Sequence, residues 1–289
     1  MTLESPIRSI SCVGLGLIGM SLLQAIKNSP LASENPIHFQ GFDPNFTESD
    51  RLYVQKLGLD AFIDNKKILY SADLLVLAAP VEVNIALLEE IKQLAPPSTL
   101  VTDVSSTKSL IAMHARKLGV PFIGMHPMAG KEQNGYRESN AELLRGKRII
   151  FCDDQGLIGS EKVTYLIRLL ESAGCTTLCM TPDEHDRIIA RISHLPQLLS
   201  TMLTLYCGEA ISASGPGFAT LARLAGSSWE IWRDIIATNS DNIAEELDHF
   251  SAELSRLSLE VRQHDLQGLE SRFCEANRLY QTLKEMNRS

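Results

Sequence analysis

Up to about residue 181 the chain alternates short apolar runs with stretches long enough for a helix, and that alternation leaves few folds open. The runs are SISCVGL (9–15), IHFQGFD (37–43), DLLVLAAP (73–80), STLVTDV (98–104), PFIGMH (121–126), KRIIFCD (147–153) and TTLCMT (176–181). Several are apolar at nearly every position rather than at every second one, the pattern of strands buried on both faces. Strands separated by helix-length segments form a mostly parallel, doubly wound sheet. After residue 181 the period changes. TPDEHD reads as a helix start, with Thr181 as cap, Pro182 in the first turn and Glu184 completing a capping box. From there to the last residue the signal is helical. Pro196 should kink the first of these helices, because it has no N–H for the carbonyl four residues back. The tail carries apolar residues at helical spacing with charges between. The expected architecture is therefore an α/β domain over 1–181 followed by an all-helical domain over 182–289.

The first run leads straight into VGLGLIG, which sets Gly14, Gly16 and Gly19 in a G-x-G-x-x-G frame, with Leu17 and Ile18 as further cofactor contacts, and opens the helix MSLLQAIKNS. A strand before and a helix after are the context this frame requires in a Rossmann-type dinucleotide site. Gly14 would allow the tight turn, Gly16 the approach of a pyrophosphate, and Gly19 close packing of helix on strand. The helix N-terminus adds free N–H groups and a positive dipole end for the phosphates. A glycine-rich turn without a ligand is the bland alternative, and the flanking strand and helix count against it. The second run ends in Asp43, where such folds place an acid on the adenosine ribose. No cation stands close by in sequence to meet an extra phosphate, so the expected cofactor is NAD rather than NADP. A turn-initiating aspartate before Pro44 is the competing reading of Asp43. The segment 28–36 lengthens the distance from Gly14 to Asp43 beyond the usual, and a loop insertion costs little.

The formal net charge of −8 argues against nucleic acid or an anionic membrane as a main partner. Six cysteines form no CxxC pair and no compact framework, and Cys175 and Cys179 have no further ligand at metal spacing. We read them as reduced thiols in a cytoplasmic protein without a metal site. No stretch approaches the ~20 apolar residues of a membrane span, and the first residues lack the apolar run of a signal peptide.

Five segments carry a resemblance that covers nearly the whole chain. GLGLIG, TDVSSTK, HPMAGKEQNG, ISHLP and GPGFATLARLAGSSWEIWRDI stand in the order found in the prephenate/arogenate dehydrogenases of tyrosine biosynthesis. The glycine segment is shared by many dehydrogenases, whereas HPMAG with SHLP downstream is specific. The resemblance implies a nucleotide-binding domain followed by a helical domain that forms a homodimer. It also implies a small-molecule substrate whose ring 4-hydroxyl is oxidised as CO2 departs. The chain resembles a monofunctional member, without a mutase segment before it or a regulatory domain after it.

The same resemblance assigns roles residue by residue. His126 matches the catalytic histidine, whose neutral imidazole takes the hydroxyl proton as hydride leaves. Ser106 matches the serine that bonds the hydroxyl, although Ser105 or Ser106 would equally suit the cap of the following helix. Lys108 matches a family lysine, against a reading as a solvated first-turn residue. Arg223 matches the arginine that grips the ring carboxylate, for which a planar fork is suited. His194 is placed at the substrate's side chain, against a reading as a core histidine. Trp232 would wall the pocket or merely pack, and Arg191 reads as a surface arginine. Two departures fall where the side chain would lie. Some members have lysine in place of Ala219, and some have a second histidine in place of Gln197. Glu132 would favour an ammonium there, or would close a gate by pairing with a cation such as Lys131. The reading adopted is prephenate, with arogenate as the alternative. A β-hydroxyacid dehydrogenase would rely on a lysine in the helical part, and a non-catalytic NAD-binding regulator could dispense with His126, Ser106 and Arg223.

Overall fold

In the computed structural model, which describes residues 5–131, 133 and 135–286, eight strands form a single sheet. They are β1 (Ser9–Val13), β2 (His38–Phe42), β3 (Ala61–Phe62), β4 (Leu74–Leu77), β5 (Leu100–Asp103), β6 (Phe122–Pro127), β7 (Arg148–Cys152) and β8 (Thr176–Met180). Their order across the sheet is β3-β2-β1-β4-β5-β6-β7-β8. The first six are parallel and follow the order of a doubly wound dinucleotide fold. The all-apolar runs are explained by burial on both faces. In β4, Leu74 and Val76 join the core that contains Met20 and Leu22. Leu75 and Leu77 join the opposite core, with Ile111 and Ala112. Successive side chains of a strand point to opposite faces, so a strand covered on both sides has no polar alternate.

β3 is too short to leave a periodic signal. β7 departs from the parallel pattern: it runs antiparallel to β6, and β8 then runs parallel to β7. A parallel return needs a crossover, usually a helix. Between β6 and β7 the described residues form only two single 3-10 turns, Tyr136–Glu138 and Ala141–Leu143. The chain therefore reverses directly.

After β8, Thr181 Oγ1 accepts from the Glu184 N–H at 3.2 Å and Pro182 sits in the first turn of the helix Pro182–Ile189. The kink expected at Pro196 takes the form of a π-helical turn, Ala190–His194, ahead of the helix Leu195–Tyr206. Such turns absorb a residue without ending a helix and are frequent at functional sites. Ile189 packs against Ile150 and Cys152, which seats this segment on β7.

By internal contacts the chain divides into a unit up to Ser240 and a second from Asp241. The second is a helical hairpin over the helices Ser240–Gln263 and Leu266–Met286. At its turn His264 adopts φ +53°, a left-handed conformation. Asp265 Oδ1 accepts from the Gly268 N–H at 2.9 Å. Arg272 forks onto Glu260 at 2.7 and 2.8 Å and holds the two helices together.

Candidate active site

The glycine loop has the geometry that its three roles demand. Gly14 has φ +92°, and a Cβ there would lie 2.6 Å from the backbone of Ala78 and Ala79. At Gly19 a Cβ would lie 2.3 Å from the Gly14 carbonyl oxygen, so helix and strand meet too closely for a side chain. Gly16 is different: a Cβ there would meet nothing within 4 Å. Gly16 also stands at the N-cap of the helix Leu17–Lys27 without a side chain satisfying its first N–H groups, and that first turn has no acid. Open space before uncapped N–H groups suits a pyrophosphate. Leu17 is buried and Ile18 half-buried. At the carboxyl end of β2, Asp43 Oδ2 accepts from the Leu15 N–H and Oδ1 from the Asn45 N–H, both at 3.0 Å. The residue thus starts a turn and at the same time reaches the glycine loop, so both readings of it hold.

Two cavities adjoin at Ser106. The smaller, about 290 Å³, runs from Ala78–Pro80 past Ser106 to Asp234. The larger, about 800 Å³, brings together Ser106, His126, Lys131, His194, Arg223 and Trp232. These come from five separate stretches of chain. Neither Ser105 nor Ser106 caps the helix Ser109–Leu118, which has no local side-chain cap. Ser105 Oγ instead accepts from Asn84 Nδ2 at 3.1 Å. The capping role falls to Asp186, whose carboxylate oxygens accept from the Lys108 and Ser109 N–H groups at 2.8 Å each.

Of the two readings of Lys108, the solvated first-turn lysine is overturned. Its side chain is fully buried, and its ammonium contacts Asp103, also fully buried, at the end of β5. The Lys108 stem passes over Gly124, where a Cβ would come within 2.9 Å of Lys108 Cδ. Asp103 also accepts from the Ser105 N–H at 3.0 Å, and so shapes the loop that carries Ser106.

His126 is 8% exposed. The residue lines the larger cavity. Its Nδ1 lies 2.9 Å from Nε2 of His185, and His185 Nδ1 lies 2.8 Å from Asp186 Oδ1. Burial, with His185, Lys108 and His194 nearby, holds His126 well below the ordinary histidine value. Burial also lowers His185, against the opposing pull of its bond to Asp186. For Asp186 burial raises the pKa, but the His185 bond and the two backbone N–H groups outweigh it, and the carboxyl stays below its usual range. His194 is pushed down to about 4, again chiefly by burial. It meets Trp232 edge to face at 5.7 Å, so that Trp232 both packs and lines the cavity.

Arg223 begins a 3-10 turn, Arg223–Gly226, that is clipped to the helix behind it. Gln197 Nε2 donates to the Leu224 carbonyl at 2.7 Å, and Ser227 Oγ donates to Gln197 Oε1 at 3.2 Å. Ser200 Oγ donates to the Leu221 carbonyl and accepts from the Ala225 N–H. Gln197 thus has its polar atoms engaged in holding the arginine's turn. Lys131 pairs with Glu138 at 2.8 Å, while Glu132 lies outside the described residues. Arg191 is exposed. His185 and Asp186 escaped the sequence reading, which used TPDEHD only as a helix start. The available signal was a histidine and an aspartate one turn into a helix that leads directly to His194.

Sequence comparison gives two matches that meet near residue 180. Residues 39–178 match the prephenate dehydrogenase nucleotide-binding domain, and residues 181–275 match the prephenate dehydrogenase dimerization domain. The chain is 30% identical to a prephenate dehydrogenase of Bacillus subtilis (strain 168), over 90% of this chain and 72% of that protein. Among solved structures it is similar to arogenate dehydrogenase from Synechocystis, with a TM-score of 0.81, 25% identity and coverage of 93% of this chain and 97% of that one. The fold is also that of prephenate dehydrogenase from A. aeolicus, solved in complex with hydroxyphenyl propionate and NAD+, with a TM-score of 0.85, 23% identity and full coverage of both chains.

Proposed function

This chain belongs to the prephenate dehydrogenase family, and from that premise we propose that it catalyses the NAD-dependent oxidative decarboxylation of prephenate to 4-hydroxyphenylpyruvate. The observation that carries the reading is the larger cavity, which gathers Ser106, His126, His194 and Arg223 from separate elements. Gly14, Gly16, Leu17, Ile18, Gly19 and Asp43 would hold the dinucleotide, which when bound accepts the hydride from C4. The fit rests on the open space at Gly16 and the uncapped helix behind it. The smaller cavity leads from Ala78 and Ala79, whose backbone lies against Gly14, to Ser106.

His126 and Ser106 meet the ring 4-hydroxyl. His126 accepts its proton on the cavity-facing nitrogen and returns it to the phenolate oxygen once the ring is aromatic. Arg223 grips the ring carboxylate until the C1–carboxylate bond breaks; that electron pair enters the ring as the C4 hydride leaves. Aromatisation drives the reaction, so the residues mainly orient the substrate and move one proton. His194 and Trp232 border the end that holds the side chain. Arg223 brings positive charge to the cavity, which favours the keto-acid over its amino-acid counterpart. We read residues 1–181 as the cofactor part and 182–289 as the substrate and dimerisation part.

The test is the absorbance of reduced nicotinamide with prephenate or arogenate, each with NAD or NADP. The expected result is turnover with prephenate and NAD. Turnover with arogenate alone would keep the mechanism and overturn the side-chain assignment, and silence in all four would overturn the function. In the same assay Asp43→Ser should raise the KM for NAD by roughly tenfold and narrow the preference over NADP, since a ribose contact is lost and a repulsion removed.

We read the hairpin beyond Asp241 as the interface of a homodimer. Leu257, Val261, Phe273 and Tyr280 are exposed along it, more apolar surface than a lone hairpin keeps in water. Phe273 is 76% exposed. Phe273→Glu should move the mass seen by light scattering from dimer to monomer, and an unchanged mass would place the interface elsewhere. Among the described residues no helix is long and apolar enough to cross a membrane. All six cysteines are free, which fits a cytoplasmic setting.

A further inference from the structure

Two histidines face the larger cavity, and each is backed by buried groups that do not line it. We propose that His185, Asp186 and Asn239 form a buried hub that presets these histidines in opposite tautomers, His126 as a proton acceptor and His194 as a proton donor. The inference rests on the proposed function for its catalytic consequence, though not for the tautomers themselves.

The argument starts at Asp186, which is 1% exposed. Backbone N–H groups of Lys108 and Ser109 hold its two oxygens at 2.8 Å, so the carboxylate is ionised and can only accept. His185 Nδ1, 2.8 Å away, must therefore carry the hydrogen. A neutral imidazole has one hydrogen, so His185 Nε2 is left as an acceptor. His126 Nδ1, 2.9 Å from it, then donates. That leaves the His126 Nε2 lone pair for the cavity. The order Asp–His–His runs one ring longer than an aspartate-oriented imidazole base, and the logic of tautomer selection is the same. The wrong tautomer would present an N–H to the substrate hydroxyl and could take no proton.

His194 is fixed from the other side. Asn239 Nδ2 donates to the Asp186 carbonyl at 2.9 Å and lies 3.3 Å from His194 Nδ1. An amide N–H can only donate, so His194 Nδ1 accepts and its hydrogen sits on Nε2. Nε2 is buried and has no partner among the described residues. A buried donor without a partner is costly, and here it belongs to a residue that lines the cavity. That hydrogen is covered in this structure, so an acceptor on a bound ligand would meet it only after the side chains over Nε2 shift. Other charged or titratable groups near the hub include Lys108, its partner Asp103 and the buried Cys152 thiol, and none of the three lines the larger cavity. His185 and Asp186 are thus positioning residues, which act through His126.

Long-range proton–nitrogen NMR of the protein labelled at histidine nitrogens reads the tautomers directly. The expected spectrum has a protonated Nδ1 and bare Nε2 at His126, and the reverse at His194. His185→Leu should lose the preference at His126 and lower kcat by roughly tenfold or more, with the KM for NAD unchanged. His185→Gln should recover most of the kcat, because its amide can accept from His126 and donate to Asp186. A bare Nδ1 at His126 in the wild type would overturn the proposal. So would wild-type kcat in His185→Leu, or a glutamine variant no better than leucine. If His185→Leu does not fold, the wild-type spectrum and the glutamine variant still decide. A wild type that turns over neither substrate while showing the expected spectrum would remove the proposed function and leave the tautomers standing.

Discussion

Replacing His126 by asparagine should leave NAD binding intact and cut kcat by roughly 10²-fold or more, the scale on which a positioned general base contributes. Asparagine is the informative choice, because its amide nitrogen takes the place of Nδ1 and can still donate to His185, 2.9 Å away in the wild type. Only the cavity-facing nitrogen is removed. The glycine loop lies on β1 and its helix, and His126 on β6, so the cofactor contacts are untouched. Equilibrium fluorescence titration with NAD and the steady-state kcat are the two measurements. A near-normal kcat would remove His126 from the mechanism. The pH profile carries a second signature. Burial and the neighbouring His185, Lys108 and His194 lower the His126 pKa well below 6.5. The base must be neutral to work, so activity is lost only as pH falls through that depressed value. The acid limb of kcat should therefore lie well below pH 6.5 in the wild type, with a plateau through neutrality. A limb at 6.5 would mean a solvated imidazole.

The fold was legible because its two periods are strong. Doubly covered strands such as β4 have no polar alternate, and the helices after residue 181 have a clear apolar stripe. What escaped was short or non-local. β3 has two residues. The reversal of β7 goes with the lack of a crossover helix among the described residues of 128–147, a feature seen only by what is missing. In the site, the residues set by local motif were in view: the glycines, Asp43, Ser106, His126, His194 and Arg223. Those set by partners far along the chain were not. Asp186 caps a helix that starts 77 positions before it, which made the serines near that helix seem the natural caps. His185 looked like an ordinary helix-start residue until β6 brought His126 against it. For Lys108 a solvated first-turn lysine stood beside the family match, and only the sheet shows that Asp103 waits beneath it. Gln197 lines the larger cavity, and what escaped is that its amide also holds the turn of Arg223.

Lys108→Met should cost about 3–5 kcal/mol of stability, the range for breaking a buried ion pair from one side. The ion pair is fully buried on both sides. Methionine keeps most of the stem that packs over Gly124 but leaves the Asp103 carboxylate without its cation. Two backbone N–H groups, from Ser105 at 3.0 Å and Met125 at 3.4 Å, remain to it. Those bonds cannot replace a full charge in a fully buried site. Asp103→Asn alone should be comparably harmful, since it strands the ammonium. The double variant Lys108→Met with Asp103→Asn removes both charges and should recover much of the loss, because a buried pair replaced as a unit is often nearly neutral. Urea denaturation of the four proteins completes the cycle. Full additivity of the two single losses would show that the charges do not interact. Activity separates a second role from this one. Asp103 shapes the Ser106 loop through the Ser105 N–H, and asparagine keeps an acceptor there. If the double variant regains stability and most of its kcat, the pair is a structural strut beneath the catalytic loop. If stability returns and kcat does not, the ammonium acts through its field on His126, which it helps to keep unprotonated.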